Sequence, residues 1–229
     1  MLCYCIMWLF AVFFVPIMVV LYLLTHQGAV NRPAVVVGFF LGAFFCVFAI
    51  LFGSGYRTYP ASLIGIFSPI FLYEVLLPLG VLTVITMVFF KDELLVRVGA
   101  LMPVFLGFFC LYIPFRIFFR SETLSGFTLF LKPVLLFCCV AGVACAIKLL
   151  VDYFTHRKPA MQGQDGNKNG RALPAVVGAC GLASAVVPAL AEALWYSGAS
   201  FVLWGGVGAV GVCSTVLLLA CSHRGMTSN

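Results

Sequence analysis

Charge is what this sequence has least of. Only 9% of its 229 residues are Asp, Glu, Lys or Arg, against about 25% in soluble domains. With 64% of residues hydrophobic, a globule in water could not cover its surface with polar groups. Lipid is the solvent that tolerates such a chain. Histidine is nearly as scarce. His26, His156 and His223 read as lying in turns or a tail on the cytoplasmic side, so no imidazole is placed to activate a nucleophile inside a membrane. Gly53-Ser-Gly55 therefore reads as a turn rather than a serine-protease site. No aspartate falls inside an apolar run, which excludes an intramembrane aspartyl dyad. H-E-x-x-H and a phosphate-binding loop are both missing. These absences argue against an enzyme and imply no cofactor and no metal. Alternation of apolar and polar residues is also lacking, which excludes barrel strands. There is no C-x-x-C spacing among the ten cysteines and no N-x-S/T sequon. Most of the cysteines lie within apolar runs and read as small packing residues.

What is present is a series of apolar runs separated by short polar clusters. A helix needs about 20 residues to cross a hydrocarbon core of about 30 Å. Seven runs meet that length, at about 3–24, 34–53, 69–90, 98–119, 127–151, 173–195 and 201–221. The fold class expected is all-α, a polytopic transmembrane bundle forming a single domain over 1–229, with no soluble domain. A six-span version, which loses the first helix or merges two, is the alternative. Residues 61–90 are apolar throughout, and one helix over them would be about 45 Å long. Ser68-Pro69 is the natural break, leaving 61–67 as an interfacial or partly re-entrant lead-in. Residues 152–172 are polar and glycine-rich and read as a cytoplasmic linker.

Seven spans place the termini on opposite sides. One side then collects Arg32, Lys91, Arg97, Lys148, Arg157, Lys158, Lys168, Arg171 and Arg224. The other collects Arg57, Arg116, Arg120 and Lys132. The positive-inside rule makes the first side cytoplasmic, with the amino terminus out and the carboxyl terminus in. The same asymmetry accounts for the net charge of +6 by attraction to anionic inner-leaflet lipid. It is not a nucleic-acid footprint.

The first five spans are rich in Phe, Leu and Val, bulky enough to face lipid. The last two are rich in small residues. Ala175, Ala179 and Ala183 recur at four-residue spacing in span six; Gly205, Gly208 and Gly211 line span seven. Small residues let helix backbones approach where lipid supplies no hydrophobic drive for association. These two spans are expected to pack tightly, on each other or on a partner.

Ionisable groups inside a membrane are expensive and mark sites to suspect. Glu74 is the sharpest, because Pro78 four residues later deprives its carbonyl of a helical donor. A carboxyl group, a freed carbonyl, Tyr73 and a kink then coincide, which is how a cation or proton site is assembled in a broken helix. The plainer reading is a carboxyl paired with an arginine that holds helices in register. Arg116 and Arg120 share a helical face, and Lys132 lies just across a turn containing Glu122. Together with Arg57 these cations suit a phosphate or lipid headgroup, or else snorkel to the interface. Lys148 reads as snorkelling inward. Glu192, beside Trp195 and Tyr196, reads as an outer interfacial anchor. All but Lys148 map to the outer half of the bilayer.

The expectation is a small permease, or the membrane subunit of a transporter, with an outward-facing polar site. The alternative is a structural or assembly subunit that associates through spans six and seven. Its partners are then the lipid bilayer and either another membrane subunit or a second copy. Short tails, compact loops and missing sequons point to a bacterial cytoplasmic (inner) membrane.

Overall fold

A computed structural model describes residues 17–19, 32–52, 62–90, 94–119, 127, 131–157 and 169–227. Among these the chain is helical, with no strand. The elements are α1 (Arg32–Phe52), α2 (Leu63–Ile70), a π-helical turn (Phe71–Leu76), α3 (Leu77–Phe89), α4 (Leu94–Phe119), α5 (Lys132–Arg157), α6 (Asn169–Tyr196) and α7 (Phe201–Thr227). Six helices are long and apolar enough to cross a membrane, with α2, the π turn and α3 forming one of them. The first apolar run, 3–24, lies outside the described residues except for helical Ile17–Val19.

The expected break at Pro69 is not there. Leu63 to Phe89 is one helical path of 27 residues, about 40 Å long, which a bilayer accommodates by tilt. Ser62 caps its start by accepting a hydrogen bond from the Gly65 N–H at 3.1 Å. Pro69 removes one donor without ending the helix, because the Phe71 N–H reaches the carbonyls of both Phe67 and Ser68. The helix then widens. The Leu77 N–H bonds the Leu72 carbonyl, five residues back, immediately before Pro78. Packing partners change across this turn. Ile66 and Ile70 pack on Ala189 and Ala193 of α6, whereas α3 packs on α4.

The Phe-rich fourth span is the centre of the bundle and does not face lipid. In α4, Leu101, Val104, Phe105 and Phe109 are at most 1% exposed. Bulky apolar residues suit lipid and core alike, so composition could not tell the two apart. Helix α1 packs on α4 by reciprocal close approach. A Cβ at Gly42 would collide with the Val104 carbonyl, and one at Gly107 with the Phe39 carbonyl. The opposite face of α1 exposes Phe40, Phe44 and Leu51, as expected of a lipid-facing surface.

Helices α5, α6 and α7 form the other half. A Cβ at Gly211 of α7 would lie 2.6 Å from Val187 Cγ1, and one at Gly181 of α6 would lie 2.7 Å from Ala146 Cβ. A hydroxyl pair, Ser184 Oγ to Thr215 Oγ1 at 3.2 Å, joins α6 to α7. Thr215 also donates toward the Cys138 carbonyl of α5 at 2.9 Å. Gly142 leaves the space for both hydroxyls. Helices α6 and α7 are joined by a four-residue turn in which Gly198 has φ of +73°. The Ala199 N–H bonds the Leu194 carbonyl, and the Gly198 N–H bonds the Trp195 carbonyl. This is the Schellman closure, which asks for glycine at the left-handed position.

Two further boundaries differ from expectation. Helix α5 continues to Arg157 and α6 already begins at Asn169. The linker 152–172 thus keeps only 158–168 outside the described residues. Asp152 and His156 consequently lie on α5 rather than in a linker, and Asp152 falls within the apolar span Lys132–Thr155. His223 lies on α7 rather than in a tail.

Candidate functional site

Four of the ionisable residues of the membrane region meet. Glu74 of the π turn, Arg116 of α4, Lys132 of α5 and Glu192 of α6 are buried together, each at most 7% exposed. Arg116 Nη1 is in ionic contact with Glu74 Oε1. The Lys132 ammonium lies 2.6 Å from Glu192 Oε1 and 3.6 Å from Glu74 Oε2. The charges thus alternate in space as Arg116, Glu74, Lys132, Glu192, and the four sum to zero.

Local structure explains how each side chain arrives. The π turn adds a residue to one helical turn, which re-aims Glu74 relative to the packing faces of α2 and α3. Arg116 lies in the last turn of α4, where the helix macrodipole favours a cation, and donates to the Tyr112 hydroxyl at 3.3 Å. Lys132 is the first α-helical residue of α5 and follows π-helical Leu131. The two carboxylates account for its position. Glu192 sits on the same α6 face as Ala189, whose small side chain allows the neighbouring helix to approach.

Glu74 carries a further peculiarity. Both its oxygens are fully buried, and neither accepts a hydrogen bond. Its neighbours Arg116 and Lys132 oppose it by charge without the directed geometry that completes a carboxylate's coordination. Glu192, by contrast, accepts a short hydrogen bond from Lys132. The two carboxylates are therefore inequivalent, and the ammonium between them is bound more closely to one.

An aromatic cluster adjoins the Lys132–Glu192 pair. Phe127 stacks on Trp195 at 5.2 Å, and Trp204 meets both rings edge-on. Trp195 is three residues beyond Glu192, and Leu131 of the same cluster adjoins Lys132. Apolar rings beside a charge pair lower the local dielectric and strengthen it.

Three of the five suspected binding residues, Glu74, Arg116 and Lys132, meet. Tyr73 is 45% exposed and lies outside the cluster. Arg120, with Arg57 and Glu122, lies outside the described residues. Lys148 is half-buried on α5 and apart from the cluster. Glu192 is corrected from an interfacial anchor to a buried member of the site. Its proximity to Trp195 and Tyr196 was misleading, since one turn of helix separates a buried face from an interface. The small residues divide likewise. Gly208 and Gly211 are buried, and Gly205 meets only Phe201 of its own helix. Ala175 and Ala179 are exposed and Ala183 is half-buried, so the close contacts of α6 run instead through Gly181, Ser184 and Val187.

The charges come from four segments, and each carboxylate faces a cation from another helix. Such an arrangement can lock helices in register, or hold and release a small ion by exchanging partners. The chain matches no protein-family model, no curated protein and no solved structure.

Proposed function

We propose that this chain is a transport-type integral membrane protein, a small permease or the membrane subunit of a transporter, whose working site is the four-charge cluster. The observation that carries this reading is Glu74. It is buried, incompletely coordinated, and mounted on a π-helical turn between two prolines. A purely structural ion pair needs neither an irregular helix nor an under-coordinated carboxylate. Irregular backbone at membrane depth is characteristic of sites that bind ions and move. The reading includes seven spans, amino terminus out and carboxyl terminus in, and hence a site in the outer half of the membrane. Compact loops fit a bacterial cytoplasmic membrane.

The test is flux through proteoliposomes of purified protein, screened with inorganic ions and small polar solutes. Glu74→Gln is expected to abolish flux while the protein still reconstitutes and melts cooperatively. Unchanged flux in that variant would remove the cluster from the mechanism.

A second reading, a subunit that binds a partner helix, is favoured by the exposure of Ala175 and Ala179 on α6. Small side chains on an outward face permit close helix approach. A stoichiometric partner lost on Ala179→Leu would support it, and identical purification of the variant would oppose it.

A further inference from the structure

We propose that the helix Leu63–Phe89 is a hinge, on which two packed bodies, α1–α3–α4 and α2–α5–α6–α7, rock about the π turn that carries Glu74. The movement is read from packing alone. Its consequence, access to the charge cluster along the line where the bodies meet, rests on the transport reading.

The close contacts divide the bundle in two. In the first body, α1 and α4 approach through Gly42 and Gly107 until a Cβ at either would collide with facing backbone, and α3 packs on α4. The Arg97 guanidinium also donates to the Met87 carbonyl at 3.2 Å, tying the start of α4 to the end of α3. In the second body, Gly181 meets Ala146, Gly211 meets Val187, and Gly142 makes room for the hydroxyls of Ser184 and Thr215, while α2 packs on α6. The bodies meet chiefly where α4 faces α5. Leu136, Cys139 and Val140 of α5 are buried there in one apolar cluster with α4. No described glycine has its closest contacts across that line. Helices whose backbones touch cannot slide without collision, whereas a seam of apolar side chains permits the small displacements of shear.

Leu63–Phe89 passes from one body to the other within a single helical path. Its packing changes hands at the π turn, which touches α6 while its Val75 lies in the α4 cluster. The ladder is weakest at that place. Pro69 and Pro78 lack an N–H, so the carbonyls of Gly65 and Glu74 have no α-helical donor, and between the prolines the Leu77 N–H reaches five residues back to Leu72. Helices bend at prolines and π turns because fewer ladder bonds oppose it. Glu74 stands at the pivot, in ionic contact with Arg116 of the first body and 3.6 Å from Lys132 of the second. Neither of its buried oxygens accepts a hydrogen bond, so no directed bond fixes the carboxylate to either body. Rocking therefore alters the surroundings of Glu74 directly.

Distances between nitroxide labels test the hinge. Labels are attached through a genetically placed keto amino acid, which leaves the ten cysteines as they are, at outward-facing Phe44, Val88, Leu182 and Val216. Val88 with Leu182 spans the two bodies; Phe44 with Val88, and Leu182 with Val216, each lie within one. Double electron–electron resonance on the protein in lipid nanodiscs is expected to give narrow distributions within each body. The distribution between bodies is expected to be at least twice as wide, or split in two. Pro78→Ala, which restores a donor for the Glu74 carbonyl, is expected to narrow it to the within-body width. Gly80→Ala, two residues on, adds helix propensity but no donor and is expected to leave it wide. The hinge is overturned if the between-body distribution of wild type is as narrow as the others, if Pro78→Ala leaves its width unchanged, or if Gly80→Ala narrows it equally. Should Pro78→Ala fail to fold, Pro69→Ala takes its place, with the same outcomes read on the same pairs. A wide between-body distribution in a protein without flux would retire the transport reading and leave the hinge standing. Flux with a narrow distribution would do the reverse.

Discussion

A buried ammonium shared by two carboxylates is costly to disturb from either side. Removing one member of a buried charge pair strands the other, typically at about 3–5 kcal/mol. Lys132→Met is therefore expected to lower stability by an amount toward that range. Lys132→Met/Glu192→Gln is expected to recover most of the loss, although two positions are changed. Thermal melting of the purified proteins checks this non-additivity. Thr215 offers a second measure. Its hydroxyl serves Ser184, Cys138 and its own helix, so Thr215→Val is predicted to cost about 1 kcal/mol, while Thr215→Ser is nearly neutral. Glu74, Arg116 and Lys132 could be found in the sequence because any charge interrupting an apolar run is conspicuous. Their partnership with Glu192 could not. Sixty residues separate Lys132 from Glu192, and the depth of a side chain depends on helix rotation. Here that rotation is set by the smallness of Ala189 and Ala193, residues that carry no charge to notice.

At the scale of elements, glycines decide which helices touch. Gly42→Ala and Gly107→Ala each press a methyl group into backbone atoms of the facing helix. Each is expected to destabilise the α1–α4 contact by about 1–3 kcal/mol, the usual cost of overpacking. Gly80→Ala meets nothing within 4 Å and is expected to be neutral, or stabilising by up to about 1 kcal/mol through helix propensity. Unfolding in a denaturing detergent series separates the two classes. Long apolar runs were readable because the bilayer imposes one length on every crossing. The glycine contacts were not, since a packing glycine and an idle one look alike until the facing backbone is known. Pro69 misled for a related reason. The missing donor at Pro69 leaves only the Gly65 carbonyl without its helical partner, and the Phe71 N–H resumes the ladder two residues on.

Six spanning helices are seen among the described residues, and the placement of a seventh apolar run decides the sidedness. Impermeant maleimide labelling of intact cells tests the full topology, in a background where Cys3, Cys5 and Cys221 are serine. Ser197→Cys, in the α6–α7 turn, is expected to react from outside. Gln162→Cys, in the linker, is expected to react only after the membrane is opened. The reverse pattern would invert the orientation and place the charge cluster near the inner surface. The turn at Gly198 has its own consequence. Four residues and a left-handed glycine leave α6 and α7 no slack, so the expectation is a hairpin that enters the bilayer in one piece.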